Sequence, residues 1–180
     1  MCWGANSMGQ LGDGTDVDRY TPGPVSGLTG VAQLTAGHEF TCALLTNGQA
    51  KCWGSNKEGE LGDGTVTTKR TTPVTVLGLT GATHIAAGYA NACALIGNGQ
   101  AKCWGNNYNG ALGDGTTTNR SSPVTVSGLS GGKSLAAGSA HIVVVLQTGR
   151  LKAWGWNSRG QIGDGSLTTR LTPVSVVGIG

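Results

Sequence analysis

A chain of 180 residues with 33 glycines and only 12% charged side chains suggests short strands and tight turns, and four Trp at one fixed position of a repeat argue against disorder. A net charge of +3 is too small to create the field of a nucleic-acid-binding protein, and no apolar run reaches the length of a membrane-spanning segment. The charge is uneven: residues 91–180 carry seven Lys/Arg against two Asp, and residues 1–90 carry five against seven acids.

The string CWG-x-N-x-x-G-x-LGDGT begins at Cys2, Cys52 and Cys103, and a fourth copy starts at Ala153 as AWGWNSRGQIGDGS. A period near 50 residues is that of a propeller, a solenoid or an array. In chain order, residues 1–30 supply the last two strands of one unit, and whole units follow over 31–81, 82–132 and 133–180. In the unit 82–132, HIAAG and ACALI read as the first two strands. The Asn98-Gly99 pair makes a tight hairpin into a third strand, QAKCW. A long Gly-rich loop then leads to a fourth strand, PVTV, whose leading Pro suits a strand start or an edge. No window sustains helical periodicity. The expected fold is all-β: a β-propeller segment of about three and a half four-stranded antiparallel blades. Such an arc does not close a ring. No secretory leader is visible, and Met1 stands directly before the middle of a repeat. The chain therefore reads as a segment of a longer propeller, a self-associating piece or an open arc.

Cys42 and Cys52 flank the turn Thr46-Asn47-Gly48, and Cys93 and Cys103 flank Gly97-Asn98-Gly99. In the last unit Val143 and Ala153 replace both cysteines together, as expected if the two act as a pair. A hairpin centred on the turn sets the two residues opposite each other, with Cα atoms about 4.5–5.5 Å apart, within disulfide range. Buried thiols are the alternative. A metal site fits least, because the C-x₂₋₄-C spacing is missing. Cys2 is expected to be a free thiol. Disulfides place the protein outside the cell or on its surface; free thiols would place it in the cytoplasm.

The Asp of each GDGT step is Asp13, Asp63, Asp114 or Asp164. One Asp per unit falls short of the six to eight oxygens of a calcium site. Each is read as closing its own turn beside glycines of positive φ. Arg19, Arg70, Arg120 and Arg170 recur three residues before Pro and are read as ion-pair partners of those Asp, with an Arg ring for an anionic partner as the sharper alternative. Trp3, Trp53, Trp104 and Trp154 are expected to pack between blades. Trp156 has no counterpart, since Ala5, Ser55 and Asn106 align with it, and with Arg159 it is the most conspicuous candidate for a specific contact. Loop pairs that differ between copies, Lys57-Glu58, Tyr108-Asn109 and Ser158-Arg159, are expected to line one rim. His38, His84 and His141 occupy three different repeat positions, and no catalytic set or metal site is expected. No cofactor is expected either.

The elements A-A-G, C-A-L, W-G-x-N-x-x-G-x-L-G-D-G-T and P-V-x-V resemble the regulator of chromosome condensation repeat over essentially the whole chain. The match is closest to the bacterial, cysteine-containing type. This resemblance implies a β-propeller, most often of seven blades. It implies several functions, because fold does not dictate function. A non-enzymatic scaffold for protein or surface-glycan recognition is the first expectation. The alternatives are a guanine-nucleotide-exchange or chromatin-type regulator, as in the eukaryotic founder, and a secreted propeller hydrolase or lyase. Plant ultraviolet-B receptors of this fold use Trp in a G-W-R-H-T motif. The matching residues here, His38, Tyr89 and Ser139, are not Trp.

Overall fold

The computed structural model describes residues 1–179. Among the described residues there is no helix, so none is long and apolar enough to cross a membrane. Strands β1 (Cys2–Gly4) and β2 (Arg19–Gly23) form a two-stranded antiparallel sheet. Three four-stranded antiparallel sheets follow, each with its strands side by side in sequence order. The first sheet holds β3 (Val31–Ala36), β4 (Phe40–Leu45), β5 (Ala50–Asn56) and β6 (Thr67–Thr75). The second holds β7 (Ala82–Ala87), β8 (Asn91–Ile96), β9 (Ala101–Gly105) and β10 (Arg120–Thr125). The third holds β11 (Gly132–Ala137), β12 (His141–Leu146), β13 (Leu151–Gly155) and β14 (Arg170–Ser175).

The core lies between sheets. One apolar cluster joins Leu44, Leu61 and Val76 of the first blade to Ile85, Ala94 and Trp104 of the second. Another joins Leu95, Leu112 and Val126 of the second to Ile142, Val144 and Trp154 of the third. The two central strands of a blade therefore bury both faces, and β8 (NACALI) is buried over its first five residues. This is why ACALI and ALL read as continuous apolar runs where a one-sided sheet would alternate.

The fourth strands start earlier than the sequence suggests. β10 begins at Arg120 and β6 at Thr67, so Pro123 and Pro73 lie inside their strands. Both strands are sheet edges, and the β9–β10 register shifts between Arg120 and Val124. A proline needs no ladder donor at such an edge irregularity.

Tight hairpins at one end of each blade join its second and third strands. The other end carries the turn between its first and second strands and the long loop from its third to its fourth. That second end is the one that displays variable residues.

Candidate recognition face

Each long loop is built around one buried asparagine. Asn6, Asn56, Asn107 and Asn157 are fully inaccessible to solvent. The Asn56 Oδ1 accepts the Leu61 amide at 3.1 Å, while its Nδ2 donates to Asp63 Oδ1 at 3.3 Å and to the Thr65 carbonyl at 3.2 Å. The same bonds recur about Asn6, Asn107 and Asn157. The aspartate of each GDGT step completes the turn. Asp63 Oδ1 accepts the Thr65 amide at 2.9 Å and its hydroxyl at 2.6 Å, and Oδ2 takes Arg70 Nε at 3.2 Å. Asp13–Arg19, Asp114–Arg120 and Asp164–Arg170 pair likewise at 3.3, 3.0 and 2.6 Å. Burial works to raise the carboxyl pKa of Asp63 and Asp114, but the hydroxyl, amide and guanidinium bonds outweigh it and hold both below the usual range. The Ser166 hydroxyl and Arg170 pull Asp164 down to about 2. With both carboxylate oxygens committed within the loop, these groups have little left for a ligand.

The repeat tryptophans fasten neighbouring blades. The indole N–H of Trp53, Trp104 and Trp154 donates to the carbonyls of Gln10, Glu60 and Ala111, each in the long loop of the blade before, at 2.9, 3.0 and 2.9 Å. Each ring lies over a glycine of that loop. A Cβ on Gly113 would stand 2.6 Å from the Trp154 Nε1, and one on Gly12 2.7 Å from that of Trp53. Trp3 departs from the expected packing between blades: it is 61% exposed, because no sheet among the described residues lies against its ring. Cys42 and Cys93 stand directly opposite Cys52 and Cys103, with Sγ atoms at bonding distance, 2.05 and 2.07 Å. The Cα separations, 4.1 and 4.0 Å, are shorter than hairpin spacing alone suggests. Cys2 is a half-buried free thiol whose pKa burial raises.

Two clefts open between blades on the loop face. One, of about 210 Å³, is bordered by Lys57, Glu58, Glu39 and the stacked rings of His38 and Tyr89, whose centroids are 4.3 Å apart. The second, of about 300 Å³, is bordered by Glu58, Tyr89, Asn91, Asn106, Tyr108 and Asn109. Glu58 and Tyr89 belong to both. Four of the candidates named from sequence, Lys57, Glu58, Tyr108 and Asn109, thus meet at adjoining clefts. Trp156 and Arg159 border neither. Trp156 is half-buried in the next loop with its amide bonded to the Ala140 carbonyl, and Arg159 is exposed. Neighbouring loops are tied together, since Asn119 Nδ2 donates to Glu58 Oε2 and the Tyr89 amide donates to the Ser139 carbonyl. A larger recess of about 430 Å³ lies between the two-stranded sheet and β3–β4, bordered by Trp3, Ala5, Leu34 and His38, the last of which it shares with the first cleft.

Sequence reasoning passed over Tyr89, Asn91 and the buried loop asparagines. The asparagines were in plain view as the invariant N of W-G-x-N. Tyr89 and Asn91 carried no signal, because their significance lies in facing loops about twenty and fifty residues away.

Sheets of four antiparallel strands packed face to face around a shared axis define a β-propeller. The family model of the regulator of chromosome condensation (RCC1) repeat matches residues 2–44, 47–95 and 98–145, and a second model of the same repeat matches 31–60, 82–111 and 133–161. The chain belongs to the RCC1-repeat family. It is 33% identical over 117 residues to the ultraviolet-B receptor UVR8 of Arabidopsis thaliana, a match covering 63% of this chain and 27% of that protein. It superposes on human WBSCR16 with a TM-score of 0.86 at 25% identity, over 97% of this chain and 47% of that one. The superposition on Prp20p of Saccharomyces cerevisiae, a protein studied for its binding to Gsp1p and histones, gives 0.83 at 25% identity, over 97% and 45%. The chain therefore spans less than half the length of these relatives.

Proposed function

We propose that this chain is a non-enzymatic recognition module that engages a protein or cell-surface glycan through its loop face, outside the reducing cytoplasm. The observation that carries the reading is a division of labour within each loop. Positions shared by all copies are committed to internal bonds, while positions that differ, Lys57, Glu58, Tyr108 and Asn109, border the two clefts. Protein binding by Prp20p supports a recognition role for the scaffold. The exchange-factor alternative needs reduced thiols, and the placing of Cys42 opposite Cys52 and of Cys93 opposite Cys103 on paired strands supports cross-linked pairs instead.

Affinity capture from native material, using the wild-type chain beside a Lys57→Glu/Tyr108→Ala double variant, tests the face. Both substitutions are on the surface and should leave the fold intact. A partner held by the wild type and lost by the variant is the expected result; a partner held equally by both rules the face out. Arg159→Glu serves as the matching probe of the next loop. Thiol titration of unreduced, denatured protein should find the single thiol of Cys2, and five thiols would remove the extracellular assignment.

A further inference from the structure

The two ends of the blades carry opposite balances of charge. All nine acidic residues lie at the loop end, eight in the long loops and Glu39 in the turn between β3 and β4. Seven of the twelve Lys and Arg share that end, and five of those seven are in ion pairs with aspartates. The remaining five, Lys51, Lys102, Lys133, Arg150 and Lys152, stand at the hairpin end, and among the described residues none of them is in an ion pair. The loop end thus sums to −2 and the hairpin end to +5, a division that the net charge of +3 conceals. Strands of five to seven residues, at about 3.3 Å per residue, hold the two ends roughly 20 Å apart. The Debye length at physiological salt is about 8 Å, so the acids of one end do not cancel the cations of the other.

Strand register fixes where these cations stand. Lys51, Lys102 and Lys152 are each the second residue of a third strand, just after the hairpin turn. Lys102 Nζ donates to the Gly78 carbonyl at 3.5 Å, in the connection that leaves β6 at the same end. In the third blade Leu146 pairs with Gly132, beside Lys133, and its amide donates to the Arg150 carbonyl. Lys133, Arg150 and Lys152 therefore gather at one hairpin. Lys133 and Arg150 are exposed, and the three strand lysines are half-buried, as long cationic side chains are when the stem covers protein and the head reaches water.

The spacing and kind of the cations select the anion. One lysine recurs per blade, and packed sheets lie about 10 Å apart, so the row is spaced at about 10 Å or more. Duplex nucleic acid is far denser, with one charge per about 1.7 Å of axis. Single strands are held by stacking bases on aromatic rings, and among the described residues the hairpin turns and the connections between blades contain no aromatic residue. Four of the five cations are lysines, which act as point charges and lack the planar fork with which arginine grips phosphate. A polysaccharide with a single carboxylate in each repeating unit presents its anions sparsely, as this row requires.

We propose that the hairpin end is a second interaction surface, which docks an acidic polysaccharide of isolated carboxylates along the row Lys51, Lys102 and Lys152, with Lys133 and Arg150 strengthening the field at the third blade. The inference rests on the extracellular part of the reading above and is independent of the loop face. Surface plasmon resonance of the full chain over immobilised hyaluronan, neutral dextran and duplex DNA tests it. The chain should bind hyaluronan and pass over dextran, and raising salt from about 50 to 200 mM should weaken binding roughly ten- to a hundredfold, as release of counterions from three to five contacts requires. Lys102→Glu/Lys152→Glu should weaken binding at least about tenfold. Lys133→Glu/Arg150→Glu, at exposed positions, should weaken it too and remains informative if the first variant fails to fold. The loop-face variant Lys57→Glu/Tyr108→Ala should bind hyaluronan as the wild type does. Absence of hyaluronan binding, equal retention on dextran, tighter binding to duplex DNA, or binding untouched by Lys133→Glu/Arg150→Glu overturns the proposal. If hyaluronan fails to bind while the loop-face variant still loses a captured partner, this surface falls and the recognition face stands.

Discussion

At the level of single residues, the chain divides its polar groups into those that hold loops and those left free. The aspartates of the GDGT steps belong to the first kind. Their folded pKa lies below the unfolded value of 3.8, and for Asp164 it reaches about 2. As pH falls, the unfolded chain binds the proton first, so the stability these carboxylates contribute is complete above about pH 4 and is lost toward pH 2. Burial also lowers the pKa of His141, which adds a smaller decline that begins below 6.5. Thermal unfolding followed from neutral pH downward should show Tm dropping through the carboxylate window, and Ser166→Ala should shrink the drop by removing the strongest bond to Asp164. A Tm that stays level between pH 4 and 2 would contradict this account. The recurring Asp and Arg were readable in the sequence by register alone. The buried amide of Asn91, whose Nδ2 has no hydrogen bond within the protein, was not, since hydrogen-bond satisfaction depends on what surrounds a group.

At the scale of the element, the blade junction is a tryptophan pressed on a glycine. Gly113 has a φ of +65° and touches the Trp154 ring, whereas Gly128 has a φ of +67° and open space around it. The two positions separate backbone strain from packing. Gly128→Ala should cost about 1 kcal/mol, from the left-handed backbone alone. Gly113→Ala adds displacement of a buried indole and the bond it donates, and should cost about 3 kcal/mol or more. Urea unfolding of the two variants measures the difference, and equal losses would mean that the indole is not held against the glycine. The strand pattern of each blade was largely visible, because Asn-Gly turns and short β-rich runs are local signals. The early start of β6 and β10 was hidden, because pairing to the neighbouring strand, and not local propensity, extends an edge strand past its proline.

Taken as a whole, the arc displays one half of a blade junction at each flank. Trp3 is 61% exposed at one end. At the other, the glycine equivalent to Gly113 is Gly163, and a Cβ there would meet only Val176. Further blades or a second copy can join these halves. The 180-residue chain by itself should therefore associate head to tail, through a heterologous contact. Sedimentation velocity should show species that grow with concentration and collapse to monomer in Trp3→Ser. A single concentration-independent monomer in the wild type would show that the flanks do not mate.

Repetition let the sequence by itself determine the fold class, the blade period, the family and the opposition of the cysteines. Each of these is set by local pattern, and four copies in register confirm one another. Only the tertiary structure decided that Tyr89 stacks on His38, that Lys57, Glu58, Tyr108 and Asn109 meet at adjoining clefts while Trp156 borders neither, and that Asn91 lacks a partner. The physical reason is distance along the chain. A scaffold position repeats because every blade makes the same bonds, whereas a recognition site is assembled once, from residues that come together only when neighbouring blades pack.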